Sequence, residues 1–527
     1  MAKIERSLLP ELNVAGSTDT LPDRMTRVIE SVAADLIAGR HAFVSGAAGT
    51  GKSMLVREVT QILERKTRKT VALTAPTGIA ADNIGGQTMH KYFGFNCQTV
   101  NDPDYVKLPR HLRDKGALPS AFVVDEISMV RRDLFDLLAR KVAVVNGGRQ
   151  HGPGLTVPML CVGDFMQLPP VVKGESDRRL LRERYPDADA YAEWFAFESD
   201  RWAACEFSCY QLTDPLRQAG DVAYYHALNA VRMGGTDGVD GLRWILDHMR
   251  RHEVRDAPSI ESGNAKVDAI NGREMWNDRL ATDDAITMPR VGPYKVRPRP
   301  FDAGPRLPWR HGINEETVFR IGSKVLICAN NANEGYVNGN LGRVEEVRGN
   351  RVMVNIEGRD EAVSVEYATR SDQEMFELQE LYDELVDCGV DDIETYRHEW
   401  RELKDRLGGP NMRLNGFAYE MALEPKARMD RAVGASVEAI DWMPLKLAYA
   451  FTAHKSQGQT MDYADVYPRE FFSAGQLYVA LSRCTGIEGL CIRGQIDLMR
   501  NYRVSPSARL FYQKTCWKRD DELICVR

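Results

Sequence analysis

The stretch His41-Ala-Phe-Val-Ser-Gly-Ala-Ala-Gly-Thr-Gly-Lys-Ser53 constrains this chain more than any other. A short apolar run ends in Gly46-x-x-x-x-Gly51-Lys52-Ser53, and a helical pattern from Met54 to Leu63 follows at once. Strand, glycine-rich turn and helix in that order make a P-loop, in which curled backbone turns successive N–H groups inward onto a polyphosphate. The helix that starts near Gly51 sets its positive end against the same anion. Gly46, Ala48, Gly49, Thr50 and Gly51 form the cradle, Lys52 reaches the β- and γ-phosphates, and Ser53 holds Mg²⁺. The bland alternative is a glycine-rich turn with no ligand.

At 527 residues, 43% hydrophobic and 27% charged, the chain has the make-up of a multidomain globular protein. It has no apolar run of about 18 residues, and Met1-Ala-Lys-Ile-Glu-Arg lacks a signal-peptide core, so a cytoplasmic, non-secreted protein of bacterial or phage type without a membrane partner is expected. The ten cysteines are scattered, and the pair Cys205 and Cys209 has no second pair at zinc spacing, so all are read as reduced thiols. A net charge of −6 argues against a whole-surface grip on a polyanion. A narrow channel lined by amides and a few cations stays open to an acidic protein.

A helix is expected near Asp23, with Met25, Val28, Ile29, Val32 and Ala33 on one face. Thr70 to Ala81 reads as strand, turn and helix. The next strand, Ala121-Phe-Val-Val, ends in Asp125-Glu126, and the C-terminal ends of parallel strands face the ligand. Asp125 would bind Mg²⁺ through water and Glu126 would deprotonate the attacking water; taken alone, the two acids fit a helix N-cap as well. A fourth strand, Val157 to Gly163, runs into Asp164-Phe-Met-Gln-Leu-Pro-Pro170, where the Gln167 amide could sense a γ-phosphate.

These motifs come with Ala75-Pro-Thr-Gly-Ile-Ala-Ala81, Leu212-Thr-Asp-Pro-Leu-Arg-Gln218, Ala453-His-Lys-Ser-Gln-Gly458 and Leu477-Tyr-Val-Ala-Leu-Ser-Arg483. The set, spread in order over about residues 25–500, resembles superfamily 1 helicases of the 5′→3′ branch. Within that branch, Gly163 to Pro170 and the stretch Phe195-Ala-Phe-Glu-Ser-Asp-Arg-Trp202 look most like the Pif family, with RecD-like and Dda-like helicases the nearest relatives.

The resemblance implies an α/β fold of two RecA-like P-loop motor domains with ATP between them. The expected plan is an N-terminal segment 1–20, a first motor domain 21–205 with a small wedge at about 94–118, a second motor domain in two parts, 206–325 and 441–510, and a C-terminal segment 511–527. An SH3-like β-barrel with a helical hairpin at 371–407 would be inserted at 326–440. Arg217 and Arg483 match the family's arginine fingers, and Gly458 matches a nucleotide-side position. Pro76, Thr77 and Gly78, then His90, then Thr452, His454 and Lys455 match its DNA-contacting motifs. The chain departs from the pattern in one respect: no glutamine precedes Gln61, so the adenine-reading residue is missing.

Some features stay open. Tyr92 and Phe93 either stack on bases or pack. Cys97–Val100 and Tyr105–Leu108 read as a hairpin, either a duplex-splitting pin or a surface loop. The basic stretch 286–310, with Arg290, Lys295, Arg297, Arg299, Arg306 and Arg310, is a phosphate-facing loop or a linker. The acidic 371–407 hairpin is a mechanical brace, a protein-partner site or a spacer. The expected activity is ATP-driven 5′→3′ movement on single-stranded DNA with unwinding at duplex junctions, against the alternative of a P-loop ATPase that remodels protein complexes.

Overall fold

The computed structural model describes residues 21–519 except 96–107, 114–117, 148–155, 297–315, 372–436 and a few isolated loop positions. The expected wedge hairpin, most of the basic stretch and the acidic hairpin therefore lie outside the described residues. The chain forms two compact units, one of residues 1–278 and 447–527, the other of Arg279–Lys446.

The first unit holds two parallel sheets. The larger has seven strands in the order Lys518–Arg519, Ser208–Leu212, Ala42–Gly46, Met159–Gly163, Phe122–Val124, Ala72–Ala75 and Gln87–Thr88. Ala42–Gly46 and Met159–Gly163 are buried throughout, as expected of strands covered on both faces. The helix Leu21–Ile37 lies on this sheet because Met25, Val28, Ile29, Val32, Ala33 and Leu36 recur at helical spacing, and all six are buried. The second sheet orders Ala450–Thr452, Ser259–Glu261, Ala464–Val466 and Leu490–Ile492.

Two segments belong elsewhere than the sequence places them. Ser208–Leu212, assigned above to the second motor domain, pairs in parallel with Ala42–Gly46 in the first sheet. The C-terminal segment is part of the same lobe: Lys518–Arg519 pairs with Tyr210 and Gln211, and the helix Pro506–Lys514 packs beneath it. Aromatic burial drives that return. Phe511 stacks on Phe197 with ring centroids 4.5 Å apart, and Trp517 sits 5.7 Å from Phe43. Trp202 meets Phe43 edge-on at 5.1 Å, so the Phe195 to Trp202 stretch is core that receives the tail.

The second unit contains a five-stranded sheet in the order Val363–Val365, Arg351–Ile356, Leu341–Arg348, Lys324–Ile327 and Leu445–Leu447. Ala368–Ser371, Val437–Trp442 and Val291–Val296 form a three-stranded sheet. The unit also includes the antiparallel pair Ile286–Pro289 and Glu316–Phe319, so it begins well before the expected residue 326. No helix among the described residues is long and apolar enough to cross a membrane.

Candidate active site

The strand order reverses beside Ala42–Gly46, and ligands of open α/β sheets bind at the carboxyl ends of strands at such a switch point. Four strand ends meet there. They carry the P-loop, Asp125-Glu126, Asp164 to Gln167, and the run from Leu212 to Gln218.

Gly49 and Gly51 have φ of +84° and +85°, which the turn requires and other residues resist. Lys52 opens the helix Lys52–Thr67, and its ammonium donates to the Gly46 and Ala47 carbonyls at 2.9 and 3.0 Å. Burial lowers its pKa, and the nearby carboxylates Asp164, Glu126 and Asp125 oppose the shift only in part. Ser53 stands half-buried beside it.

Asp125 is buried, and burial with the neighbouring Glu126 charge pushes its carboxyl up to about 7. It accepts the Glu126 amide N–H at 2.9 Å. Glu126 takes φ +50°, a left-handed conformation that costs about 1–3 kcal/mol in a non-glycine residue. The turn after it lies tight on the next strand: a Cβ at Gly163 would fall 2.9 Å from the Ile127 amide nitrogen.

Within the first unit, the lobe built on the four-stranded parallel sheet, its second lobe, closes on these groups. The Ala48 N–H donates to the Tyr478 hydroxyl at 2.7 Å, and Gln457 Nε2 donates to Glu126 Oε2 at 3.2 Å. Gly475, at φ +70°, sits so close that a Cβ would lie 2.4 Å from the Gln167 carbonyl oxygen. Arg217 bonds the Ser482 carbonyl at 3.1 Å, and Gln218 bonds that of Cys484 at 2.9 Å. Arg483 is buried and spends its donors on carbonyls, Val479 at 2.7 Å, Ser456 at 3.2 Å and Gln459 at 3.3 Å, and on the Ser482 hydroxyl at 2.7 Å. Burial and then the Arg217 charge bring its pKa down to about 9. Among the described residues neither arginine forms an ion pair.

Gln167 is buried, and its Nε2 points towards Asp164 Oδ2 at 3.5 Å. Asp164 is held by Arg232, whose Nη2 and Nε approach its two oxygens at 2.7 and 2.9 Å. The Tyr512 hydroxyl donates to Asp164 at 3.0 Å and is also paired with the Ser45 hydroxyl.

The remaining expected positions fall on a second face. Pro76, Thr77 and Gly78 are half-buried where a strand turns into the helix Gly78–Asn83, and the Thr77 hydroxyl accepts the Ala80 N–H at 3.2 Å. Thr452 is buried and caps the helix Ala453–Ser456 by accepting the Lys455 N–H at 3.3 Å; His454 is half-buried and Lys455 exposed. Gly458 lies towards Asn83, whose Nδ2 would be 3.5 Å from a Cβ there. His90 is half-buried and meets the Phe95 ring edge-on at 6.0 Å. Phe93 is fully buried and stacks on Phe95, while Tyr92 packs edge-on against Phe93 and His111.

A family model for PIF1-like helicases matches residues 22–222. The ATP-dependent DNA helicase Pif1 of a Psychrobacter species is 27% identical over 502 residues, 91% of this chain and 69% of that protein. That of Campylobacter jejuni is 26% identical over 472 residues, 85% of this chain and 88% of its own length. The chain is thus similar to PIF1-like helicases, by the family model over its first part and by whole-length relatives beyond it. Its fold agrees: the Candida albicans Pif1 helicase structure matches with a TM-score of 0.65 at 24% identity, covering 94% of this chain and 99% of that one. A Bacteroides Pif1 structure bound to ssDNA matches at 0.64 with 24% identity, covering 94% and 97%.

In this chain, Gln457, Tyr478, Gln218, Asp164, Arg232 and Tyr512 escaped assignment from sequence. The first four lie inside recognisable motifs, so their position was a signal although their role was not. Arg232 and Tyr512 lie in no motif, and only the folded contacts reveal them.

Proposed function

We propose that this chain is an ATP-dependent DNA helicase that moves 5′→3′ on single-stranded DNA and parts the duplex ahead. The observation that carries the reading is the contact set laid on the P-loop lobe by Tyr478, Gln457 and the segment around Arg483. A hydrolysis site completed by a second lobe is what an engine that alternately closes and opens requires. Solved relatives bound to ssDNA and the names of the curated relatives support DNA as the track.

The residues fit a nucleoside triphosphate: the cradle is glycine-built, the Lys52 cation is half-buried against it, and acids stand at the adjacent strand end. Lys52 binds the phosphates, Glu126 takes the proton of the attacking water, and Gln167 reads the γ-phosphate position. Arg217 and Arg483 stabilise the developing charge, and Arg483 must first release its carbonyl partners. Ser53 and Asp125 would hold Mg²⁺, which supplies charge neutralisation when bound. The N–H groups of Thr77 and Gly78, in the turn that Pro76 begins, and the side chains of His454 and Lys455 grip a backbone phosphate. The five-stranded sheet of the second unit is read as the SH3-like module, and the acidic 371–407 segment as a brace or protein-partner site.

Strand displacement with ATP on duplexes carrying a 5′ or a 3′ tail tests the reading. Unwinding of the 5′-tailed substrate alone is expected. Equal displacement from both would overturn the direction, and ATPase activity indifferent to DNA would favour a protein-remodelling ATPase.

A further inference from the structure

Among the described residues, one side-chain hydrogen bond reaches the Glu126 carboxylate, and it comes from Gln457 Nε2 at 3.2 Å. The two residues are 331 positions apart and lie in different lobes. Gln457 is buried, at 7% exposure, and its Oε1 is buried with no partner among the described residues. A buried amide that satisfies only one end costs free energy, so the unsatisfied acceptor marks a place where another hydrogen belongs.

Gln457 directly follows the helix Ala453–Ser456, and its N–H donates to the His454 carbonyl at 3.3 Å. Thr452, His454, Lys455 and Gln457 therefore belong to one short hydrogen-bonded turn. One end offers an exposed cation and a histidine, and the other holds the carboxylate of the P-loop lobe. The backbone of Glu126 is fixed by its left-handed φ and by the contact of the following turn with Gly163. What remains free to vary is the direction of its carboxylate.

We infer that Gln457 is a positioning residue that couples the grip on single-stranded DNA to activation of the attacking water by Glu126. A neutral amide suits the task. It orients one carboxylate oxygen without a positive charge that would weaken the base, and it leaves the other oxygen to accept a proton from water. Its own unpartnered Oε1 is the acceptor for the second hydrogen of that water. Displacement of the 452–456 turn by a bound strand changes the Gln457 to Glu126 bond directly, with no longer relay needed.

The inference rests on the helicase reading, and the experiment separates the two. Gln457→Met keeps the length of the side chain and removes both polar ends; Gln457→Glu keeps size and polarity but replaces the donor by an acceptor facing Glu126. For each variant and the parent protein, kcat and KM for ATP are measured with and without single-stranded DNA, and DNA affinity is measured by fluorescence anisotropy without nucleotide. Both variants should lose about tenfold or more of the DNA-stimulated kcat, with KM and DNA affinity within about twofold of the parent. DNA-stimulated kcat retained in both would overturn the inference alone. A fall in DNA affinity equal to the fall in kcat in both variants would also overturn it, because Gln457 would then be part of the grip. A parent protein without DNA stimulation would overturn the helicase reading and this inference with it.

Discussion

Arg217 is rooted in the phosphate loop: its amide N–H and that of Leu216 both donate to the Gly49 carbonyl, at 2.9 and 2.8 Å. The approach is so close that a Cβ at Gly49 would lie 2.6 Å from the Cβ of Arg217. The guanidinium end bonds the Ser482 carbonyl, one residue from Arg483. Two cations thus converge on the cradle, one fixed by the first lobe's own backbone and one carried by the second lobe. Arg217→Ala or Arg483→Ala should cut DNA-stimulated hydrolysis by about a thousandfold, with DNA affinity nearly intact. Steady-state ATPase assays alongside anisotropy check this. A loss of DNA binding as large as the loss of turnover would indicate a misfolded lobe instead.

Lys52 and Glu126 divide the chemistry between binding and water activation. Lys52→Ala should abolish turnover and weaken nucleotide binding. Glu126→Gln should retain bound ATP without hydrolysing it, because the amide keeps the shape and loses the base. Filter binding and single-turnover hydrolysis distinguish the two, and appreciable turnover in either variant would contradict the assignment.

The legible part of this molecule is local. The P-loop, the Asp125-Glu126 strand end and the stripe Met25, Val28, Ile29, Val32 and Ala33 each show in a dozen residues, because period and turn chemistry are written at short range. The illegible part depends on which segments meet. Nothing near Ser208–Leu212 says that it pairs with Ala42–Gly46 instead of opening a new domain, since any apolar strand can join either sheet. Likewise Tyr512 and Asp164, 348 residues apart, meet only because Phe511 and Trp517 bury the C-terminal helix under Phe43. Gln457 sat in full view inside a motif, but its partner Glu126 was settled by lobe closure.

Gly475 tests that closure. Its φ of +70° already disfavours a side chain, and a Cβ would meet the Gln167 and Met166 carbonyl oxygens at 2.4 and 2.7 Å. These are backbone atoms, so the second lobe must back away. Gly475→Ala should lower DNA-stimulated ATPase by about tenfold or more, while a fluorescent nucleotide still binds the first lobe with an affinity within about threefold of the parent. Undiminished turnover would mean that this contact is not part of the working closed state.

The pair Asp164 and Arg232 sets a further test, because both side chains are buried, with 0% and 3% of their surface exposed. Burial alone would raise the Asp164 carboxyl, but the Arg232 guanidinium more than offsets it and holds the group below its ordinary 3.8. A carboxyl whose folded value lies below its unfolded one contributes stability that is complete above about pH 4 and is lost as pH falls through the folded value. Arg232→Met should therefore destabilise the first unit by about 3–5 kcal/mol near neutral pH, since it leaves a buried carboxylate without its cation. Adding Asp164→Asn to that variant should recover much of the loss, because no charge is then left unpaired. The penalty of Arg232→Met should also shrink as the pH is lowered, starting above about pH 4, because without the guanidinium burial raises the Asp164 carboxyl and lets it take up a proton while the parent still keeps its ion pair. Thermal melts of the parent, the single and the double variant across that range provide the measurement. A penalty that stayed constant with pH, or a double variant no more stable than the single, would mean that Arg232 contributes through packing against the Tyr512 ring, 4.9 Å away, and not through its charge.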